Sequence, residues 1–116
     1  MNKFIIFILF YLFFIKKEKE RFKIIDTNVA KKLIEKKYIK TILDVRTDKE
    51  WNKGHYINAT HIPIEPLNKI TEKKIKSLIE PILIYCRSGR RAKNAAKLIS
   101  KYKKTYVIES NYKNLL

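Results

Sequence analysis

Residues 81–86 read PILIYC, a stretch of four uninterrupted residues with large apolar or aromatic side chains opened by a proline and closed by a cysteine. The loop RSGRR follows at once, and then RAKNAAKLISKY, whose Ala92, Ala95, Ala96 and Ile99 recur at the spacing of one helix face. A buried strand leading through a tight loop into a helix is the most restrictive feature of the chain. It demands a sheet with helices packed against it.

The rest of the chain from Phe22 repeats this alternation. FKII is a short apolar stretch. Asp26 is placed to cap a helix running to about Lys37, with Val29, Ala30, Leu33 and Ile34 on one face. TILDV reads as a second buried strand ending at Asp44. Thr47 and Glu50 have capping-box spacing, so TDKEWNKG is predicted as a short helix stopped by Gly54. INATHIP is extended, IEPLNKI and TEKKIKSLIE read as helical, and TYVIES is a last strand. Alternating strands and helices imply an α/β fold, with a central parallel sheet flanked by helices on both faces. Ligands of such sheets sit beyond the carboxyl ends of the strands. Both Cys86 and Asp44 are expected on that edge.

The 27 Lys+Arg residues include only five arginines, and three of them, Arg87, Arg90 and Arg91, surround the chain's single cysteine. One of the two glycines, Gly89, lies in the same loop. A turn at Gly89 curls successive N–H groups into an anion-binding nest at a helix N-terminus. Guanidinium groups add charge that does not titrate near neutral pH. The combination favours thiolate over thiol at Cys86 and suits an anionic substrate. A lone cysteine excludes an intrachain disulfide framework and a multi-cysteine metal site. His55 and His61 are too few for a metal centre, so no metal and no cofactor is expected.

LDVRTDKEWNKGHYINATHIP followed by PILIYCRSGRRAKNAAKLI resembles the single-domain rhodaneses, a sulfurtransferase family. The likeness runs over about residues 22–110. It rests on DVR at a strand end, on the segment from Glu50 through Gly54–His55 to Ile62–Pro63, and on the loop beginning at Cys86. The resemblance implies that Cys86 takes the outer sulfur of thiosulfate or a similar donor. The sulfur then passes, as a persulfide, to cyanide or a thiol. It implies substrate binding by Arg87, Ser88, Gly89, Arg90 and Arg91, and supporting roles for Asp44 and Arg46. Glu50 and His55 match the pattern too. Arg46 is expected to pair with Glu50, Asp44 to support the neighbouring loop, and Trp51 to anchor the core. The chain departs from the pattern at Asn58, Ser110 and Asn111, where glycines are usual; Asn tolerates the left-handed backbone such turns require. Cysteine phosphatases and arsenate reductases place arginine six positions after the cysteine, where this chain has Ala92. The shorter loop favours sulfur chemistry. A non-enzymatic persulfide relay is the other reading.

Residues 4–15, FIIFILFYLFFI, form an apolar run of about 18 Å as a helix, shorter than the ~30 Å hydrocarbon core of a bilayer. The chain therefore divides into a hydrophobic signal or anchor segment with a basic flank, 1–21, and a domain, 22–116. A signal reading places the domain outside the cytoplasm, and an anchor with KKEKER behind it places the domain on the cytoplasmic side. The net charge of +16 is spread along the chain with no basic stripe interleaved with aromatics. A small anionic donor with a thiol or cyanide acceptor is the expected partner set. Membrane association through 4–15 is expected as well, with no specific nucleic acid and a monomeric state.

Overall fold

The computed structural model describes residues 2–19 and 21–116, the side chains of 13–19 lying outside the described set. Helix α1 (Lys3–Lys19) precedes five strands: β1 (Phe22–Ile24), β2 (Thr41–Asp44), β3 (Thr60–His61), β4 (Ile82–Tyr85) and β5 (Thr105–Val107). Between them lie α2 (Thr27–Glu35), α3 (Asp48–Lys53), α4 (Glu72–Ser77) and α5 (Arg90–Ile99), with a 3₁₀ turn at Tyr112–Leu115. The strands form one sheet in the order β1-β5-β4-β2-β3, and every pairing is parallel. This is the predicted α/β architecture.

The PILIY strand sits at the centre, with all four residues of β4 buried. Alternation along it feeds two cores. Ile82 and Ile84 face Ala92, Ala95, Ala96 and Ile99 of α5 together with Ile75 of α4, while Leu83 and Tyr85 face Ala30 of α2, Ile108 and Leu115. Cys86 continues the first set and joins the α5 side. The alanines let α5 approach the sheet closely, and burying the four large β4 side chains contributes roughly 1.5–3 kcal/mol each.

Local signals set the elements. Asp26 caps α2 by accepting from the Asn28 N–H at 2.7 Å. The Thr47–Glu50 capping box forms in full, and Gly54 ends α3 at φ 146°. Asn58 adopts φ 63°, the left-handed conformation expected of it. Asn111 does not: at φ −70° it caps the 3₁₀ turn, accepting from the Lys113 N–H. That turn buries Leu115 against the Ala30 core. IEPLNKI forms no helix. Pro66 disfavours the helical conformation at Glu65 before it, and the segment instead closes a loop from the Lys69 N–H to the Pro63 carbonyl at 3.3 Å. Val29, placed on the inner face of α2 by its spacing, is 46 % exposed. Among the described residues no helix is long and apolar enough to cross a membrane.

Candidate active site

Cys86 directly follows β4 and is 1 % exposed. The loop after it turns at Gly89, whose φ of 105° lies in the region that favours glycine. A Cβ there would also stand 3.0–3.1 Å from Glu109. The turn brings the Gly89 N–H to 3.0 Å and the Ala92 N–H to 3.4 Å from Cys86 Sγ. Gly89 opens α5 with no side-chain cap of its own. The sulfur thus takes the place of a capping oxygen, accepting the third-residue amide of the helix. Negative charge on such an acceptor is stabilised by the N-terminal end of the helix.

The three loop arginines go separate ways. Arg91 is held by Glu50 through two bonds, Nη1 to Oε1 at 2.6 Å and Nη2 to Oε2 at 2.9 Å. Arg90 reaches Glu65 at 3.1 Å on the surface. Arg87 is exposed and, among the described residues, makes no ion pair. Ser88 is exposed on the loop crest. The bonds from Arg91, with those from Thr47, hold the Glu50 carboxyl down at about 2, against burial, which raises it.

Beneath the neighbouring face lies a buried polar network. Arg46 folds back onto Asp44 with Nε to Oδ1 at 3.1 Å and Nη2 to Oδ2 at 2.7 Å, and its own N–H donates to Oδ1 at 2.8 Å. Nη2 also donates to the Gly54 carbonyl at 2.7 Å. Tyr85 donates its hydroxyl to Asp44 Oδ2 at 2.6 Å and accepts the Tyr56 N–H at 3.0 Å. Burial first, and then the bond to Asp44, push the Tyr85 phenol well above its ordinary value, so it stays a donor. The expected Arg46–Glu50 pair is absent: the turn after β2 returns Arg46 to the strand end, while the capping box aims Glu50 at α5. Asp44 instead holds Tyr85, the residue before Cys86, across the register pair Asp44–Tyr85.

The comparisons with known proteins identify the family. Residues 26–115 match the model of the rhodanese-like domain. The chain belongs to that family. A tRNA uridine(34) hydroxylase of Protochlamydia amoebophila is 29% identical over 92 residues, covering 72% of this chain and 29% of that protein. A candidate sulfur carrier protein of Bacillus subtilis, YrkF, is 40% identical over 62 residues, covering 52% of this chain and 31% of its own length. The chain thus spans about three tenths of the curated relatives it matches. The rhodanese-like domain of an Anabaena protein superposes with a TM-score of 0.63 at 25% identity, covering 78% of this chain and 70% of that one.

Two further residues of this rhodanese-like domain differ from their sequence reading. Trp51 does not anchor the core. It is half-buried and sandwiched between His55, at 3.4 Å between ring centroids, and His61, at 4.5 Å. His55 Nδ1 meets the Trp51 carbonyl at 2.9 Å and His61 Nε2 the Arg46 carbonyl at 2.8 Å, which fixes both rings. Tyr85, read only as part of a strand, is a member of the polar network. Its signal was available: aligning the ends of TILD and ILIY puts a hydroxyl opposite a carboxylate.

Proposed function

We propose that Cys86 is the sulfur-accepting nucleophile of a rhodanese-type sulfurtransferase. The observation that supports this most is the pair of backbone N–H donors aimed at Sγ from Gly89 and Ala92. Thiolate Cys86 attacks the outer sulfur of thiosulfate. A new S–S bond forms, the donor's S–S bond breaks, and sulfite leaves with the electron pair. The charge now on the terminal sulfur rests within the loop amides. Cyanide or a thiolate then attacks that sulfur, departs as thiocyanate or a persulfide, and returns Cys86 to thiolate. The attacking species is the thiolate, so the step uses no separate base. Arg87 receives the anionic donor, Arg90 lies beside it, and Arg91 with Glu50 holds the loop.

The test is direct. Purified protein supplied with thiosulfate and cyanide releases sulfite and thiocyanate, and Cys86→Ser lowers the rate by at least about 10³-fold. Hydrolysis of an aryl phosphate at a comparable rate would overturn the assignment. A relay is the second reading, favoured by the 40% identity to the candidate sulfur carrier. A gain of about one sulfur atom, ~32 Da, on Cys86 that moves to acceptor thiols and never to cyanide selects the relay.

We also propose that α1 targets or anchors the domain to a membrane, its exposed Phe4, Ile5, Ile6, Phe7 and Phe10 entering the apolar layer. N-terminal sequencing of natively expressed protein separates the forms. A start near residues 16–22 means export; an intact Met1 means an anchored or cytoplasmic form.

A further inference from the structure

All five strands run parallel, so the chemistry and the chain's entry point lie at opposite ends of the sheet. Cys86 stands at the carboxyl edge. Phe22, where the chain arriving from α1 enters the sheet, is in register with Thr105 and Ile82 at the amino edge. The helices descend antiparallel to the strands, so α2 and α5 end at the amino edge too. They deliver Lys36, Lys37 and Lys40 from one side and Lys101, Lys103 and Lys104 from the other. Among the described residues Lys37, Lys40, Lys101 and Lys103 make no ion pair, and Lys40 Nζ donates only to the Lys37 carbonyl at 2.8 Å. Of the acids at this edge, Glu72 pairs with Lys76, whose Nζ lies 5.7 Å from the Tyr102 ring centroid, and Glu80 accepts the Lys104 N–H at 2.6 Å. A surface cavity of about 330 Å³ opens at the same edge, lined by Arg21, Lys97, Lys101 and Tyr102. Tyr102 is 44 % exposed and Tyr38 lies under Lys104 Nζ, 5.5 Å from its ring centroid. Lysines interleaved with partly exposed tyrosines are the side chains that settle at a bilayer's headgroup layer.

We propose that the amino edge of the sheet is a docking face for an anionic lipid surface, holding the domain with Cys86 turned away from the bilayer. The lipid surface is favoured over other polyanions because the exposed apolar residues of α1 join the domain at this same edge. A short apolar segment and a polybasic face are two weak signals that together give stable membrane attachment. The inference builds on the membrane role of α1 and adds orientation and lipid charge.

The test uses the full chain with vesicles of phosphatidylcholine, alone or with about a third phosphatidylglycerol. Lys40→Glu, Lys101→Glu and Lys103→Glu combined weaken partition onto the anionic vesicles by on the order of 100-fold. The charge-matched set Lys49→Glu, Lys53→Glu and Lys69→Glu, exposed elsewhere on the domain, weakens it by less than about 5-fold. Equal losses from the two sets, or none from either, overturn the proposal. So does an edge set that weakens binding to single-stranded RNA while leaving vesicle partition intact. Partition onto neutral vesicles reports on α1 alone. Its absence in the unaltered protein refutes the anchor, while the contrast between the two sets on anionic vesicles still decides the orientation.

Discussion

The two ends of the sheet handle charge in opposite ways. At the carboxyl edge Arg46 is closed onto Asp44, Arg91 onto Glu50, Arg90 onto Glu65 and Lys93 onto Glu109. At the amino edge Lys76 pairs with Glu72, but Lys37, Lys40, Lys101 and Lys103 find no carboxylate among the described residues. The Arg46–Asp44 and Arg91–Glu50 pairs fix geometry, because a buried ion that loses its partner is costly, while the exposed Arg90–Glu65 and Lys93–Glu109 pairs add little. Unpaired charges add little to the fold and remain free to act on a partner. Within the carboxyl edge the same contrast recurs on a smaller scale: Arg91 is tied to Glu50, and Arg87 makes no ion pair among the described residues.

Several substitutions put that contrast under strain. Asp44→Ala leaves the Arg46 guanidinium buried without its counter-charge and the Tyr85 hydroxyl without its acceptor, so a loss of ~3–5 kcal/mol in urea unfolding is expected. A loss under about 1 kcal/mol would show that the network is not what holds the strand ends. Gly89→Ala forces a side chain onto φ 105° against Glu109, destabilising by ~1–3 kcal/mol. It also withdraws the amides from Sγ, and sulfur transfer should fall further than thermal stability does.

Acid probes Glu50. Its carboxyl sits at about 2 in the folded protein against 4.5 as the ordinary value. A depressed carboxyl stabilises fully above its unfolded value. The contribution, ~1–3 kcal/mol after allowance for its partial exposure, is therefore present above about pH 4.5 and disappears as pH falls towards 2. Glu50→Gln should flatten that part of the stability curve. The smallest effect is expected at Arg87→Gln, which raises KM for thiosulfate roughly tenfold and leaves the melting temperature unchanged. Arg91→Gln should do the reverse and lower the melting temperature first.

Much of this was legible in the sequence because it is encoded over short distances. The period of PILIY and of RAKNAAKLI defines strand and helix, the Thr47–Glu50 spacing defines a cap, and Gly89 defines the turn. The loop cysteine and its turn were likewise readable. What could not be read were partnerships across the fold. Arg46 and Glu50 both match the family pattern, yet they do not pair and each bonds elsewhere, because the backbone after β2 points them in different directions. IEPLNKI forms no helix for a local reason: its apolar spacing is helical, but a proline restricts the residue before it.

The stacking of the chain's one tryptophan between two imidazoles has a practical consequence. Trp51 lies on the same short helix as Glu50, whose grip on Arg91 ties that helix to the cysteine loop. Under the proposed sulfur transfer, rearrangement of the loop should shift the ring stack. The stack is therefore an optical gauge of that loop, readable by ultraviolet emission without any attached dye.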